Sequence, residues 1–483
     1  MPKETLKNKT AKGLLWGGIS NIMQQALGII FGIFLARMLN ADDYGLVAML
    51  GIFMGIAVIL QDSGFSSALI NRPFCHKDYN AVFWFSFGVG TISYILLFLC
   101  APLIARFFNH PELTRLARVQ FLWFFFGSMS TAHATVLKKK LMIKERAVIS
   151  IISMAISGIT GVVLAYQGFA YWALVIQTVF MSIIISLLYW IYSPWRPTFS
   201  FDAKPLKEML PFSIKISVSR VIYQINASLF SVLLGKFFTK TETGYYYQGD
   251  KWMRMGNALI GNMLNEVTQP VLVEAESNMN RQRNVFRKIL RFTCFISFPA
   301  MFGLAFVSEE FIIITITEKW LPSIIIMQML CVWGAFIPIT ELYSQLVISR
   351  NRSDLYLWNV IGLGVVQLIA VCSTLFLGVY YMVFVFTIVN ILWLPVWHFS
   401  SGKLINLRLL HVIKDVSPFL LITVLSMGVA WFITRSIDNI YIRFIAKIFI
   451  TAIIYIGIMW NTKSIIVRES VNFILRKVAF VKH

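Results

Sequence analysis

The sequence predicts an all-α integral membrane protein with fourteen transmembrane helices: two pseudo-symmetric six-helix lobes and two extra C-terminal helices. Three observations carry that prediction. Of 483 residues, 58% are hydrophobic and only 13% charged, whereas soluble domains carry about 25% charged residues. The mean hydropathy of +0.73 is too high for a chain of this length to hide inside one water-soluble core. Apolar stretches recur at the length a bilayer demands, roughly 20 residues for a hydrocarbon core of about 30 Å, and one polar motif returns at a fixed offset between the two halves.

Taken in order, the expected spans begin near Lys12, Asp42, Asn80, Thr114, Ala147 and Ala170. The second half adds Leu210, Gly244, Val285, Leu321, Leu355 and Tyr381, and the chain ends on spans from Val416 and Tyr441. Helices are the natural element, because backbone in lipid must satisfy its own hydrogen bonds. The alternating ten-residue pattern of an outer-membrane barrel is absent. Lys3, Lys7, Lys9 and Lys12 precede the first apolar run as in a signal peptide. That run continues from Gly13 to Leu39 with no small-residue cleavage pattern, so it reads as an uncleaved span.

Lysine and arginine set the orientation. They crowd the N-terminal segment, the Lys138–Lys140, Lys144 and Arg146 connection, the Arg281–Lys288 stretch and the tail after Trp460. The connections on the other side hold far fewer. This bias predicts that both termini are cytoplasmic, in the inner membrane of a cell. The net charge of +21 is therefore a topology signal that also brings membrane lipids with anionic headgroups to the loops. No nucleic-acid partner is expected, since no loop is long enough to fold as a basic domain. Cys75, Cys100, Cys294, Cys331 and Cys372 are scattered and odd in number, with neither metal spacing nor a disulfide framework. No metal and no cofactor is expected. The tail Lys463–His483 alternates apolar and basic residues and reads as an amphipathic helix on the cytoplasmic leaflet.

The repeat organises the chain. Leu35-Ala36-Arg37-Met38-Leu39-Asn40-Ala41-Asp42-Asp43-Tyr44-Gly45 aligns without gaps on Leu234-Gly235-Lys236-Phe237-Phe238-Thr239-Lys240-Thr241-Glu242-Thr243-Gly244. Upstream, Ser20 meets Ser219 and Gln25 meets Gln224. Six spans per repeat return the chain to the same side, so the halves are parallel repeats, a transporter design with the substrate site between them. The expected divisions are an N-lobe over 1–192, a cytoplasmic linker over 193–208, a C-lobe over 209–400, two further spans over 415–462 and the tail.

At this repeat the sequence resembles a known family. FLARMLNADDYGLVAM (34–49) followed by QDSGFSSALINR (61–72) is similar to the opening of Wzx-type polysaccharide exporters, particularly the colanic-acid and teichuronic-acid branch. The stretch 244–276 resembles the start of that family's second lobe. These exporters belong to the MOP superfamily, with the lipid II flippases and the MATE antiporters. The resemblance, over residues 10 to about 460, implies the MOP flippase fold and alternating access. Its implied cargo is an undecaprenyl-diphosphate-linked oligosaccharide, moved between leaflets during O-antigen, capsule or exopolysaccharide synthesis. Other polysaccharide-assembly proteins are then candidate partners, and Na⁺ or H⁺ a candidate coupling ion.

Charge at depth is costly in lipid and marks candidate sites. At about 1.5 Å per residue, Arg220 on span 7 and Arg254 on span 8 each lie roughly 15 Å into the bilayer. Lys251 shares a helical face with Arg254, and Lys215 sits a turn or so below Arg220. Arginine suits a diphosphate, because its planar fork bonds phosphate oxygens in pairs and keeps its charge. The plainer reading pairs Asp250 with Arg254 at i, i+4. Asn21 and Gln25 on span 1 align with Arg220 and Gln224 in the repeat, so both sets are candidate substrate contacts, although helix–helix hydrogen bonds account for them equally well. Asp62, just before Gly64, and Asp250 are candidates for coupling or gating. Glu266 and Glu341 fall near cytoplasmic span ends, and Lys447 near the outer end of span 14 reads as a snorkelling lysine. His133, with Ser128, Ser130 and Thr131 on span 4, either lines a cavity or satisfies its neighbours.

Two rival functions remain open in the sequence. A MATE-like small-molecule antiporter calls for acidic groups at the midplane, where this chain places basic ones. A membrane enzyme acting on lipid-linked sugars needs an acid or base on a sizeable outer loop, but the outer loops are about ten residues long.

Overall fold

The computed structural model describes residues 6–62, 64–350 and 352–461; the side chains of 6–15, 62, 67, 71, 211–213, 215, 216, 218, 219, 223, 262, 263, 265–267 and 353 lie outside that description. The expected amphipathic tail over 463–483 also falls outside it. The described residues are mostly helical, with no strand among them. In chain order the helices are α1 (Leu6–Met38), α2 (Ala41–Met49), α3 (Gly51–Asp62), α4 (Phe65–Asn71), α5 (His76–Phe108), α6 (Glu112–Gln120), α7 (Leu122–Ser128), α8 (Thr131–Lys139), α9 (Ile143–Tyr166), α10 (Tyr171–Tyr192) and α11 (Lys204–Phe237). They continue as α12 (Lys240–Glu274), α13 (Met279–Phe306), α14 (Ser308–Ile316), α15 (Pro322–Gly334), α16 (Ile337–Ser349), α17 (Ser353–Ser373), α18 (Val379–Ser401), α19 (Leu409–Thr434) and α20 (Ile440–Asn461).

Among the described residues, eleven segments are long and apolar enough to cross a bilayer. They coincide with expected spans 1–3, 5, 6 and 9–14. The three others differ in kind. Span 4 is the interrupted series α6–α7–α8. Spans 7 and 8 are α11 and α12, of 34 and 35 residues, each on the order of 50 Å long at about 1.5 Å per residue. Polar residues such as Arg220, Gln224, Asn226, Asp250, Lys251, Arg254 and Asn257 interrupt their apolar runs.

By packing, the chain divides into two compact units between Gly244 and Tyr245. In the first, α1 lies on α9 and α9 on α10, while α5 packs on α6 and α7. Helix α11 packs on α2, α3, α4 and α5. One apolar core gathers Leu50, Phe108, Leu116, Phe121 and Phe124. A second gathers Phe65, Tyr79, Val82, Val136 and Trp195, so the connection after α10 joins the core through its tryptophan.

That connection is stitched to the start of α5. The side-chain carbonyl of Asn80 accepts from Thr198 N at 2.8 Å, and its Nδ2 donates to the Ser200 carbonyl. Trp84 Nε1 donates to the Thr198 carbonyl at 2.7 Å, and Trp195 Nε1 to His76 Nδ1 at 3.0 Å. One buried amide thus serves both sides of an irregular backbone, as a neighbouring strand would.

The helix breaks have local causes. Helix α3 stops at Asp62, and Gly64 takes φ +71° before α4 begins, a conformation that glycine adopts without steric cost. The last carbonyls around α4 are met by Lys139 Nζ, which donates to Leu69 O at 3.1 Å, to Ile70 O at 3.0 Å, and to Arg72 O. In the second unit Pro338 cannot donate to the carbonyl four residues back. That carbonyl, on Gly334, accepts instead from Asn257 Nδ2 at 2.7 Å, and the next, on Ala335, accepts from Ser297 Oγ at 2.8 Å. The break between α15 and α16 is therefore held by side chains of α12 and α13.

The rest of the second unit builds on α13, which packs on α15, α16 and α19; α15 and α17 pack on α18, and α19 on α20. Two charge clusters fasten the last two helices. Asp415 of α19 is 6% exposed and accepts from Arg287 at 2.6 and 3.0 Å, with Arg291 3.9 Å away. Glu310 of α14 is fully buried and lies 2.8 Å from Arg443 and 2.7 Å from Lys447, both on α20. Lys447 therefore does not snorkel. Its charge turns inward because a buried carboxylate offers a better partner than the interface.

Candidate functional site

The repeated motif has a structural meaning on both copies. At the start of α2, Asn40 N donates to Asp43 Oδ2 at 2.9 Å. At the start of α12, Thr239 N donates to Glu242 Oε2 at 3.0 Å, and Thr239 Oγ1 donates to the same oxygen at 2.8 Å. Asp43 and Glu242, aligned by the repeat, thus each reach back to the residue before their helix, the reciprocal half of a capping box. A carboxylate there also meets the positive end of the helix dipole.

The two copies also touch, within the first unit and in a reciprocal manner. A Cβ on Gly45 would lie 1.8 Å from the Lys240 carbonyl oxygen, and one on Gly244 would lie 1.9 Å from that of Ala41. Lys240 is the repeat counterpart of Ala41, and Gly244 that of Gly45. The pair on the local axis, Thr241 and Asp42, are themselves counterparts, and Thr241 Oγ1 donates to Asp42 Oδ1 at 2.5 Å. Residue i touching j while j's counterpart touches i's is the signature of a two-fold interface. The glycines are required because backbone meets backbone there; each φ is ordinary.

The candidate residues distribute as follows. Arg220 is exposed on α11, as is Asn21 on α1; Gln25 is half-buried. Gln224 Nε2 donates to Ser228 Oγ at 2.8 Å, and its amide occupies the space over Gly55 of α3, where a Cβ would lie 2.2 Å from Nε2. Gln224 is thereby a helix-packing residue of the first unit. In the second unit Arg254 Nε donates to Asp250 Oδ2 at 2.6 Å, with the Arg254 side chain 51% and the Asp250 side chain 16% exposed. The local pairing that the i, i+4 spacing allows is thus present, and it leaves half the arginine side chain accessible. Lys251 is half-buried, its ammonium 5.6 Å from the ring of Trp252. The side chains of Lys215, Asp62 and Glu266 lie outside the described residues.

His133 takes the plainer of its two readings in part. It is fully buried against Trp190 and Trp195, at ring distances of 4.7 and 5.2 Å. Neither ring nitrogen has a hydrogen-bond partner among the described residues. The five cysteines are free, and no group of three His, Cys, Asp or Glu among the described residues is placed to hold a metal ion.

Comparison with known proteins gives these features a family. Residues 34–325, more than half of the chain, match the family described as polysaccharide biosynthesis protein. Among relatives, the teichuronic acid biosynthesis protein TuaB of Bacillus subtilis (strain 168) is 24% identical over 359 residues, covering 74% of each chain. The lipopolysaccharide biosynthesis protein WzxC of Escherichia coli (strain K12) is 23% identical over 73% of this chain and 72% of that one. Among solved structures, the lipid II flippase MurJ in an inward closed conformation superposes with a TM-score of 0.78 at 16% identity, covering 95% of this chain and all of that one. An inward-facing MATE transporter of the MOP superfamily gives 0.66 at 17% identity, over 81% of this chain and 98% of that one. At such identities the structures establish the fold, and the family match establishes membership. The chain is a multi-pass membrane protein with the MOP fold, and it belongs to the polysaccharide biosynthesis protein family.

Proposed function

We propose that this protein carries a lipid-diphosphate-linked oligosaccharide from the cytoplasmic to the outer leaflet of the inner membrane by alternating access. It acts as a transporter and not as an enzyme, with both termini in the cytoplasm. Family membership and the MOP fold support this reading. The observation that carries it is the charge in the sequence of two helices: over 216–231 of α11 and 246–261 of α12, Arg220, Lys251 and Arg254 are basic and Asp250 is the one acidic residue. A cargo with two phosphates rewards that excess, because guanidinium groups bind phosphate oxygens with charge-assisted bonds. A cation-carrying antiporter would be repelled by it. Lys215, Asn21 and Gln25 are further proposed contacts for the cargo, and Asp62 and Asp250 proposed points of coupling to a Na⁺ or proton gradient.

The test is a chromosomal Arg220→Ala variant in a strain that displays the polysaccharide. Loss of surface glycan at unchanged protein level is expected, with lipid-linked precursor accumulating inside. Normal export at normal protein level would remove Arg220 from the account.

A further inference from the structure

A cavity of about 300 Å³ lies within the first unit, and its described lining includes no basic residue of α11 or α12. It opens where two helices are interrupted, at the α3–α4 break beside Gln61 and Ser66 and at the α7–α8 break beside Ser130. Interrupted helices in lipid are tolerated where the freed backbone lines a cavity, and such breaks point to binding sites. One face of α8 forms a wall: Thr131, Ala134, Thr135 and Lys138 all line the cavity at the i, i+3, i+4, i+7 spacing of a single helical stripe.

The polar groups are sorted along this stripe. At its inner end the hydroxyl protons are already committed: Ser130 Oγ donates to Gly127 O at 2.8 Å, Thr135 Oγ1 to Thr131 O at 2.9 Å, and Ser182 Oγ to Trp123 O at 3.1 Å. What these oxygens still offer is lone pairs, which suit a ligand that donates hydroxyl hydrogens. At the other end stand Lys138 and, from the first turn of α9, Arg146. Arg146 Nε is buried with no hydrogen-bond partner among the described residues. No described lining residue is acidic. Lys139 next door is spent on the carbonyls that end α4, whereas Lys138 faces the cavity. A loop charge that only oriented the span would sit in water and leave no orphaned guanidinium nitrogen behind it.

We propose that this cavity is a binding site for a phosphate ester of a polyol, with the phosphate between Lys138 and Arg146 and the hydroxylated unit along Thr131 and Thr135. The stripe from Thr131 to Lys138 spans about 10 Å, enough for one phosphate and a three- to six-carbon polyol. The same chemistry comes from two sources, a glycerol-phosphate lipid headgroup or a soluble sugar or glycerol phosphate. The site uses none of the cations of α11 or α12, so it stands whether or not those residues bind the transported cargo.

The full-length protein in phosphatidylcholine nanodiscs provides the test, with glycerol 3-phosphate added to solution or phosphatidylglycerol added to the bilayer. Binding is read by native mass spectrometry and by the shift in thermal midpoint. Saturable binding of one of the two probes is expected, and which one binds identifies the source. The Lys138→Gln/Arg146→Gln double variant should weaken it at least about tenfold, as the loss of charge-assisted bonds requires. Thr135→Val, which keeps both charges and the side-chain shape, should weaken glycerol phosphate binding but leave inorganic phosphate unaffected. Lys77→Gln, at an exposed position outside the cavity, should change nothing. Absence of binding by either probe, or equal binding by the double variant, would overturn the proposal. Thr135→Val binding glycerol phosphate as the native chain does would overturn the polyol assignment.

Discussion

Replacing Gly45 with alanine puts one methyl group where α2 meets the start of α12. The added carbon would sit 1.8 Å from the Lys240 carbonyl oxygen and 2.7 Å from its carbonyl carbon. Comfortable separations are about 3.5 Å, so the two backbones must part by roughly 1.5 Å or the turn must deform. The obstacle is backbone, and no side-chain rotation can relieve it. Overpacking of a close-packed interior costs about 1–3 kcal/mol, and this site belongs at the upper end. Gly244→Ala meets the same obstacle at 1.9 Å from Ala41 O, so its cost should match. The reciprocal geometry makes a sharper prediction for the pair. Once the crossing has opened for one methyl, the second finds space, and the double variant should cost less than the sum by about 0.5–3 kcal/mol, the range seen for coupled neighbours. Reversible unfolding in mixed micelles would measure all three variants. Neutral single variants, or a double variant additive within about 0.5 kcal/mol, would refute the two-fold crossing.

Three further outcomes follow from the geometry. Asp415→Ala strips the buried partner from Arg287 and Arg291; it should cost about 3 kcal/mol in unfolding assays, the low end for a broken buried pair because Arg287 partly reaches solvent. Glu310→Gln takes the buried carboxylate from Lys447 and leaves Arg443 with Glu309 at 4.0 Å; it should destabilise the protein by a similar amount, and adding Lys447→Met should recover part of the loss in the same assay. Asn80→Ala leaves Thr198 N and the Ser200 carbonyl without their shared partner; about 1–3 kcal/mol is expected, together with faster proteolysis between 196 and 203.

Legibility of the fold in the sequence followed the range of the interactions. Spans whose apolar runs are continuous, such as those from His76 and Leu409, needed only composition and length. The repeat was also legible, because a gapless alignment of 35–45 with 234–244 needs no structure. Its physical content was legible only in part: Asp43 and Glu242 cap their helices from three residues away, whereas the meeting of two backbones at Gly45 and Gly244 depends on contacts across about 200 residues. The pairing of Asp250 with Arg254 lies one helical turn away and could be anticipated. The pairing of Glu310 with Lys447 joins residues far apart in sequence, so a snorkelling lysine was the sound expectation from the sequence and the structure overturned it. The interruptions of span 4 near Phe121 and Met129 carry no proline, which is why that segment read as one helix. The cavity beside α8 is lined by Ser130 at the break near Met129 and by Gln61 and Ser66 on either side of the α3–α4 break, a meeting of segments far apart in sequence.

Transport of a lipid-diphosphate-linked sugar is measured by reconstitution. Proteoliposomes holding the purified protein and an undecaprenyl-diphosphate oligosaccharide would be assayed for sugar accessible at the opposite leaflet, with and without Na⁺ or proton gradients. The native chain should move the sugar well above protein-free vesicles, and Arg220→Ala and Arg254→Ala should each slow it. Translocation no faster than in protein-free vesicles, under every gradient, would contradict the account.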